Sequence, residues 1–534
     1  MPQMTGGQAL AKQLHLEGVR VIFGLPGVQL YHALDALRAE TDIKFITTRH
    51  EQATAYMADG YARAGGGIGT ALVVPGPGLQ NASAAIGTAY AASSPIMVIS
   101  GQIERDMIGG DRGMLHEVND QLDTIRPVTK WAQRILDPRE VPEAVHEAFY
   151  QLKSGRPRPV EIEIPPETLA QLADVDLMEP VSYQRPAASM ESVQEAVRVL
   201  AGATNPLILV GGGGNQSDAG EALLKVAEHL QAPIMATAEG KGAVSDKHYL
   251  SLGTPRTRDD PFHDYMARYD VILAVGTRNA SPNILRGQKI VQIDIDEAEI
   301  GRNYADTVGV VGDARLTLED MHRVMASTVP QRERHQEDID SVRAQYFGEA
   351  NASEPLESFT KAIRGAMPDD GILVAGMTQM GYYSRLHFPV YNSRSYLTSS
   401  YFGNLGFAYP VALGAKVACP DKAVVAVSGD GGFMYNVQEL ATAAMYGINV
   451  VLVVFNDSAF GNVLRDQRNM FEGRAYGSEL KNPDFMKLAD AFGIKGIKVE
   501  NQDADRLQEV VSEAINFNGP SLIEVPVGEM PYPY

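Results

Sequence analysis

The sequence predicts an α/β fold built from three doubly wound domains, each with a parallel sheet. The chain has 534 residues, which is too long for one hydrophobic core and corresponds to about three domains of ordinary size. Along the chain, short β-branched runs end in glycine-rich turns and are followed by segments with a helical apolar stripe. This order is typical of parallel strands that are joined by helices.

Composition narrows the choice of partners and compartment. The formal net charge is −20, so electrostatic repulsion disfavours nucleic acid or an anionic membrane surface as a partner. The single cysteine, Cys419, excludes an intramolecular disulfide and a cysteine-based metal cage. No N-terminal segment resembles a signal peptide, and no apolar run reaches the roughly 18 residues of a membrane span. We therefore expect a cytoplasmic protein that acts on small molecules.

Segment 424–461 carries the clearest chemical signal. Val424–Val427 and Val450–Phe455 are predicted as buried parallel strands, with a glycine turn at 429–432 and a helix at Asn436–Tyr446 between them. Turns at the carboxyl ends of parallel strands lie on the edge where open α/β sheets bind ligands. The side chains of these turns are therefore candidate ligand-binding groups.

Asp430 and Asp457 follow the two predicted strands. Two carboxylates beside glycine amides and a helix N-terminus suit a Mg²⁺ or Ca²⁺ ion that carries a diphosphate. Either aspartate alone could equally belong to a solvated turn. Their occurrence in one strand–helix–strand unit favours the metal site.

The same segment carries a family resemblance. GDG, followed after the next strand by an Asn-Asp pair, resembles the diphosphate-anchoring motif of thiamine-diphosphate enzymes, and GDGGFMYNVQELATA is particularly similar to the large subunit of acetohydroxyacid (acetolactate) synthases. The resemblance implies thiamine diphosphate and Mg²⁺ as cofactors. In the family, the metal takes an aspartate, an asparagine and a backbone carbonyl two residues later, which here correspond to Asp430, Asp457 and Ala459. The predicted cofactor-binding turn consists of Gly429, Asp430, Gly431 and Gly432.

The resemblance makes residues 1–170 a pyrimidine-binding domain. Glu51 stands at a predicted strand-to-helix junction, where a carboxylate often only complements the helix dipole. RHEQATAYMADGYARAGG, however, is similar to the family segment that carries the activating glutamate. In the family this glutamate bonds N1′ of the aminopyrimidine and favours the imino form that deprotonates thiazolium C2. The resemblance implies this role for Glu51.

Other first-domain residues are assigned through the same likeness. The Gly76–Asn81 turn resembles the family's SGPGxxN motif, which places Pro77 and Asn81 near the pyrimidine, although an ordinary Pro-Gly loop has the same pattern. Gly27 ends the turn that follows the first predicted strand of this domain, and we include it among the cofactor contacts. His116 matches a family glutamine close to the reacting carbon. It could donate a hydrogen bond or shuttle a proton, or could merely flank a helix.

A polar linker at 171–189 precedes a Rossmann-like middle domain at 190–345. LVGGGGNQSDAGEALLKVAEHLQAPIMAT resembles the middle domain of acetohydroxyacid synthases, which holds FAD in that family, so FAD is a candidate cofactor. Arg278 matches the family's GxR and either orients a substrate carboxylate or forms an ordinary ion pair. The family's following FDDR motif is replaced by Asn279–Pro282.

Residues 351–534 are predicted as the domain that binds diphosphate and metal. Thr378 and Gln379 end a predicted strand and either contact the diphosphate or cap a helix. Leu405 matches the apolar residue that bends the family's cofactor; without the resemblance it would be assigned to the core. Asp466 stands near the family's tryptophan that selects 2-oxobutyrate, so that preference does not carry over.

The resemblance implies a decarboxylating carboligase that joins a pyruvate-like 2-oxo acid to a second carbonyl compound. The alternative is a thiamine-diphosphate-dependent lyase or decarboxylase for a different 2-oxo or 2-hydroxy compound. A non-enzymatic regulatory subunit would predict a degraded site, whereas Glu51, Asp430 and Asp457 are all present. The family builds each active site from two subunits, so we expect a homodimer or homotetramer.

Overall fold

The computed structural model describes residues 2–254, 265–280, 287–334, 336–347 and 352–532. The strands in these ranges form three six-stranded sheets in which every neighbouring pair is parallel, and one small antiparallel pair. The three parallel-sheet α/β units confirm the predicted fold class. Of the segment 279–282 that replaces the FDDR motif, residues 281 and 282 lie outside the described ranges.

The first sheet has the strand order β3-β2-β4-β5-β7-β6. Its strands are β2 (Val21–Gly24), β3 (Lys44–Thr47), β4 (Gly69–Val73), β5 (Ile96–Gly101), β6 (Trp131–Arg134) and β7 (Val160–Ile164). The helices around it are α1 (Gly6–Leu16), α2 (Tyr31–Ala39), α3 (Glu51–Tyr61), α4 (Pro77–Ala92), α5 (Gln121–Ile125), α6 (Val141–Lys153) and α7 (Pro166–Ala170).

The second sheet has the strand order β11-β10-β9-β12-β13-β14. Its strands are β9 (Pro206–Val210), β10 (Ile234–Ala236), β11 (Ser251–Gly253), β12 (Val271–Val275), β13 (Lys289–Asp294) and β14 (Thr307–Val311). The helices of this part are α8 (Met190–Ala201), α9 (Gly212–Gln216), α10 (Gly220–Leu230), α11 (Ala314–Thr328) and α12 (Gln336–Phe347). Strands β9 and β12 are buried along their whole length because helices cover both faces of the sheet.

The third sheet has the strand order β16-β15-β17-β18-β20-β19. Its strands are β15 (Ile372–Ala375), β16 (Tyr396–Thr398), β17 (Val424–Gly429), β18 (Val450–Asn456), β19 (Lys495–Lys498) and β20 (Ser521–Pro526). The helices are α13 (Leu356–Ala366), α14 (Gln379–His387), α15 (Ala408–Ala418), α16 (Asp430–Phe433), α17 (Leu440–Tyr446), α18 (Gly461–Met470), α19 (Phe485–Ala491) and α20 (Ala504–Asn516).

Helix α3 of the first domain packs closely against helix α15 of the third. A Cβ atom at Gly60 would lie 2.0 Å from the Val411 carbonyl oxygen, and one at Gly414 would lie 1.9 Å from the Met57 carbonyl oxygen. The two helix backbones therefore approach one another at positions where only glycine fits. This contact joins the apolar cores of the two domains into one cluster and fixes the helix that begins at Glu51.

Two local expectations differ from the structure. The predicted linker begins with a strand, β8 (Leu172–Asp174), which pairs antiparallel with β1 (Gln3–Thr5). The predicted helix Asn436–Tyr446 is helical only from Leu440, because Met434–Glu439 forms a 3₁₀ segment. Asn436 leaves the helical conformation and donates hydrogen bonds to the Gly406 carbonyl and to Gln52 Oε1. Tertiary hydrogen bonds thus override the apolar pattern there.

Within the described ranges, no helix combines the length and the apolar character that crossing a bilayer requires.

A buried arginine ties the three domains together. Arg63 Nη1 donates to the Thr398 carbonyl oxygen at 2.7 Å, and its Nη2 donates to Glu239 Oε2 at 2.8 Å. Asp59, one helical turn earlier, completes the ion pair at 3.4 Å. Burial raises the pKa of Asp59, and the neighbouring Arg63 opposes that rise. Asp59 depends on this guanidinium because its side chain is fully buried, whereas Glu239 is partly exposed and also accepts from Thr398 Oγ1.

Replacing Arg63 with methionine should destabilise the protein by about 3–5 kcal/mol, since two carboxylates would lose their buried partner. The free energy of unfolding, measured by chemical denaturation, tests this expectation. Arg198→Met is the control, because the Arg198 side chain is 71% exposed and pairs only with Glu195 on its own helix; its effect should stay within about 0.5 kcal/mol. Equal effects of the two changes would contradict the role of Arg63.

Glu439 forms a second contact between the first and third domains. It is buried and accepts hydrogen bonds from the Arg49 backbone amide at 3.1 Å and from Thr442 Oγ1 at 2.6 Å. Burial is the largest cause that raises the pKa of Glu439 to about 7, while these hydrogen bonds oppose it. The folded protein therefore binds this proton more tightly than the unfolded chain does.

The protonated Glu439 should contribute stability fully below pH 4.5, its ordinary pKa, and lose that contribution as the pH rises through about 7. Glu439→Gln removes the titration and keeps the shape of the side chain. Between pH 5 and 8 the variant should therefore gain stability relative to the parent, by at most about 3 kcal/mol. Unfolding free energies across this pH range test the expectation, and a pH-independent difference would contradict it.

Candidate active site

Glu51 occupies the first position of α3, directly after the N-cap residue His50. Its side chain is buried, and Asn81 Nδ2 donates to Glu51 Oε2 at 3.0 Å. A Cβ atom at Gly78 would lie 3.5 Å from Glu51 Oε1, so the carboxylate faces the first turn of α4. Among the described residues Oε1 accepts no hydrogen bond. One carboxylate oxygen is therefore available to a ligand.

The turn at Gly76 and Pro77 precedes α4 and lies beside this carboxylate. Gly76 has a φ of 55°, in the region that glycine tolerates best, and Pro77 takes the first helical position, where its missing amide costs nothing. The Gly76 amide donates to Gln121 Oε1 at 2.7 Å. A Cβ atom at Gly76 would lie 2.3 Å from the His116 carbonyl oxygen. The loop that carries His116 therefore packs directly on the turn.

His116 contacts the turn through its backbone and a neighbouring loop through its ring. Its φ is 71°, and its Nδ1 lies 3.0 Å from Gln29 Oε1. Gln29 belongs to the 3₁₀ turn after Gly27, and a Cβ atom at Gly27 would lie 2.1 Å from Val74 Cγ1. The structure therefore brings Gly27, Pro77, Asn81, Glu51 and His116 to one edge of the first sheet.

Gln121 supports this edge of the first sheet. Sequence reasoning did not identify this residue. Its Nε2 donates to the Gly101 carbonyl oxygen and to Glu163 Oε2, both at 2.9 Å, and to Ser100 Oγ at 3.0 Å. Its Oε1 binds the Gly76 amide, so a buried polar network fixes the turn. No local pattern in the sequence marks a glutamine of this kind.

The two aspartates of the third domain also meet. Asp430 is buried at the start of α16, and Asp457 follows β18. Burial, and secondly the negative charge of Asp430, raise the pKa of Asp457 to about 7. Two carboxylates that repel one another in a buried place form a site that a divalent cation would stabilise.

Ala459 belongs to the same turn as Asp457. The Ala459 amide donates to Asp457 Oδ1 at 3.1 Å, which closes the turn. Segment 478–480 pairs with this turn through the Phe460 amide and the Ser458 carbonyl oxygen, and neither bond uses the Ala459 carbonyl. The described residues contain no cluster of three or more His, Cys, Asp or Glu side chains. Further ligands of an ion here would therefore be carbonyl, water or phosphate oxygens.

Asn482 is a second residue that the sequence did not indicate. Its Nδ2 donates to Asp430 Oδ2 and, at 2.9 Å, to Asn456 Oδ1. Asn456 in turn donates to Glu524 Oε1 at 2.8 Å. Both polar groups of Asn456 are thus engaged by the protein, which leaves Asp457 as the ion-facing member of the Asn-Asp pair.

The diphosphate candidates lie beside the Asp430 turn. Thr378 precedes α14, yet its side chain makes no capping hydrogen bond, and a Cβ atom at Gly429 would lie 3.2 Å from Thr378 Oγ1. Gln379 is buried, and its Oε1 finds no hydrogen-bond partner in the part of the chain that the structure describes. Both side chains therefore offer unused polar atoms at the carboxyl edge of the third sheet.

The remaining third-domain candidates border the same turn. A Cβ atom at Gly432 would lie 3.8 Å from Leu405 Cδ2, and one at Gly431 would lie 2.7 Å from Phe460 Cε1. Leu405 therefore stands next to the Asp430 turn. Within the described part of the chain, no hydrogen bond or ion pair joins the side chains of Glu51, Asn81 or His116 directly to Asp430, Asp457, Thr378 or Gln379. The Glu51 group and the Asp430 group are therefore two half-sites without a direct polar contact, although Asn436 bonds Gln52 and Glu439 bonds the Arg49 amide between the two domains.

Arg278 lies elsewhere, in a cavity of about 930 Å³ that the middle domain shares with its neighbours. Its Cζ stands 4.7 Å from the Tyr401 ring centre, and its Nε lies 3.9 Å from Glu299. Eight basic residues line the cavity against four acidic ones: Arg20, Arg63, Lys153, Arg156, Arg185, Arg278, Arg385 and Arg394 against Glu17, Glu239, Asp294 and Asp313. Within the described ranges, the buried atoms Arg278 Nε, Asn279 Oδ1 and Arg385 Nε have no hydrogen-bond partner. The donor set and the volume fit an extended anion such as a dinucleotide.

Comparison with known proteins agrees with this division of the chain. The N-terminal binding domain of thiamine pyrophosphate enzymes matches residues 4–124, their central domain matches 193–321, and their C-terminal binding domain matches 375–525.

Several full-length relatives are similar as well. A probable acetolactate synthase large subunit of Methanococcus aeolicus is 33% identical over 98% of this chain and 92% of its own length. The acetolactate synthase large subunit of Haemophilus influenzae is 32% identical over 96% and 93%. A probable 2-ketoarginine decarboxylase, AruI, of Pseudomonas aeruginosa is 34% identical over 98% and 94%. The chain thus belongs to the thiamine pyrophosphate enzymes and is a relative of the acetolactate synthase large subunits.

Proposed function

We propose that this enzyme decarboxylates a 2-oxo acid and joins the remaining fragment to a second carbonyl compound. The observation that carries the proposal is Glu51, a buried carboxylate with one oxygen unused, held by Asn81 beside the Gly76–Pro77 turn. When bound, thiamine diphosphate supplies the carbanion and the electron sink that this chemistry needs. Glu51 holds the proton shared with the pyrimidine ring, while Gly27, Pro77 and Asn81 position that ring.

The third domain would hold the charged end of the cofactor. Asp430, Asp457 and the Ala459 carbonyl would bind Mg²⁺, which would supply positive charge for the diphosphate. Thr378, Gln379 and the amides of Gly429, Gly431 and Gly432 would offer hydrogen-bond donors to the diphosphate. Leu405 would support the cofactor by apolar contact. His116, beside the Gly76 turn, orients the substrate carbonyl.

We infer that two copies of the chain complete each site. Among the described residues, no hydrogen bond or ion pair joins the Glu51 half-site directly to the Asp430 half-site. Large apolar side chains beside both half-sites are exposed, among them Leu115 and Tyr435. Covering them with a second copy would bury apolar surface and bring the half-sites of different chains together. A homodimer or a homotetramer built from such dimers satisfies this requirement.

A simple decarboxylase is the second candidate function. The relative from Pseudomonas aeruginosa carries the name of a decarboxylase and is as similar to this chain as the synthases are. Both functions share the release of CO₂ and differ in whether a second carbonyl compound is joined.

Product analysis tests the proposal. After incubation with thiamine diphosphate, Mg²⁺ and a panel of 2-oxo acids and aldehydes, mass spectrometry should detect a 2-hydroxy ketone or an acetohydroxy acid. Glu51→Gln should lower turnover by about 100-fold or more while Mg²⁺ binding persists, because the proton transfer is lost. Glu191→Gln, which changes an exposed acid in the first turn of another helix, should remain active. A fully active Glu51→Gln enzyme would exclude this mechanism.

We further propose that the arginine-lined cavity binds FAD or a related nucleotide in a structural role. Titration calorimetry with FAD and with ADP should detect binding, and purified protein that retains FAD should show flavin absorbance. Arg278→Met should weaken the affinity about tenfold or more, since a charged hydrogen bond is lost. Arg198 lies outside the cavity, so Arg198→Met should not change the affinity for the nucleotide. Absence of binding of both nucleotides at millimolar concentration would reject the proposal.

A further inference from the structure

Arg465 is a buried arginine without a full set of partners. It lies in α18, which follows the Asp457–Ala459 turn, and it is only 7% exposed. Its Nη2 bonds Asn462 Oδ1 and, at 3.2 Å, Asp466 Oδ1. Its Nε and Nη1 have no hydrogen-bond partner among the residues that the structure describes. A buried guanidinium with unused donors is costly in a folded protein, so these donors indicate a ligand.

The position of Arg465 relates it to the predicted metal site. Gly461 and Arg465 are one helical turn apart and therefore lie on the same face of α18. A Cβ atom at Gly461 would lie 2.0 Å from Asp457 Oδ2, so this face covers the metal-binding turn. Arg465 thus stands about 6 Å further along the helix from the position that touches Asp457.

Arg465 also faces α14, the helix that begins at Gln379. Tyr382 lies in α14, and burial raises its pKa while the positive charges of Arg385 and Arg465 lower it. Asp466 faces the same place and already accepts from Arg465 Nη2. The ring of Tyr532 covers the guanidinium, with its centre 4.8 Å from Cζ. Because a guanidinium carries only donors and a positive charge, the unused Nε and Nη1 favour an anionic acceptor over a cation.

We propose that Arg465 binds a second anionic group at the far end of the 2-oxo acid substrate. This inference rests on the proposed function, because it assigns a substrate class to that site. The carboxylate that leaves as CO₂ loses its charge on the way to the transition state, so an arginine bound to it would favour the ground state. A remote carboxylate or sulfonate keeps its charge throughout. Arg465 can therefore hold a remote anion without slowing the reaction.

The test compares 2-oxo acids of equal length on the enzyme loaded with thiamine diphosphate and Mg²⁺. The pairs are 2-oxoglutarate with 2-oxopentanoate and 2-oxoadipate with 2-oxohexanoate, and 3-sulfopyruvate is added to separate a sulfonate from a carboxylate. CO₂ release should show at least tenfold higher kcat/KM for a dianion than for its monoanionic counterpart. Arg465→Gln should lower kcat/KM for that dianion by about 10- to 100-fold, mainly through KM. The kcat/KM values for the monoanionic acids should change less than threefold.

Two further variants separate recognition from folding. Arg465→Lys keeps the charge and should retain part of the preference for the dianion. Arg468→Gln is the matched control, because Arg468 lies in the same helix, its side chain is 39% exposed and it pairs with Glu529; this variant should behave like the parent. If Arg465→Gln fails to fold, the preference of the parent and the Arg465→Lys variant decide the question.

A binding measurement distinguishes failure of this inference from failure of the proposed function. The Glu51→Gln enzyme, loaded with the cofactors, is titrated calorimetrically with 2-oxoglutarate and with 2-oxopentanoate. The same titrations are then made with the double variant that carries both Glu51→Gln and Arg465→Gln. If the Glu51→Gln enzyme binds the dianion more tightly and the double variant loses this preference, the proposed role of Arg465 is supported, even if no acid releases CO₂. Equal affinity for the two acids, or a parent enzyme that prefers the monoanionic acids, would overturn the role of Arg465. The proposed function would stand if the monoanionic acids are turned over.

Discussion

The close contact between α3 and α15 is the constraint on which both half-sites depend. It lets the backbones of Gly60 and Gly414 touch the carbonyls of the opposite helix, and larger residues would separate the two domains. Glu51 begins the first of these helices, and Leu405 lies in the segment that leads into the second. The position of the predicted activating carboxylate is thus set by packing between domains rather than by its own loop. Arg63 and Glu439 add buried polar contacts across the same boundary.

Buried polar groups do most of the positioning around the candidate site. Gln121 fixes the Gly76 turn through one amide group that serves as donor and acceptor. Asn482 joins Asp430 and Asn456 by donating from Nδ2 to both side chains. Each amide bridges chain segments that are distant in sequence. Such bridges are stiff because every alternative leaves a buried group unsatisfied. The site residues can therefore be held ready before a cofactor binds.

The sequence predicted what local rules determine. Parallel strands that end in Asp430 and Asp457 must deliver them to one sheet edge, and the structure does bring them together. The 3₁₀ segment at Met434–Glu439 was missed because Asn436 bonds to distant residues that no helical pattern reveals. Gln121 and Asn482 lie in segments whose paths depend on tertiary packing. Arg278 matched a motif, but only the folded chain places it in the arginine-lined cavity.

The separate sites share one electrostatic feature, a local charge that is not neutralised within the chain. A chain of net charge −20 repels the anionic molecules that the family resemblance requires, so attraction must be local. The structure contains three such places: the aspartate pair, which needs a cation; the arginine-lined cavity; and Arg465 with its unused donors. Each has an electrostatic cost in the ligand-free chain, either from repulsion or from lost solvation. Ligands that remove these costs stabilise the folded state. Binding and stability are therefore coupled at each of the three places.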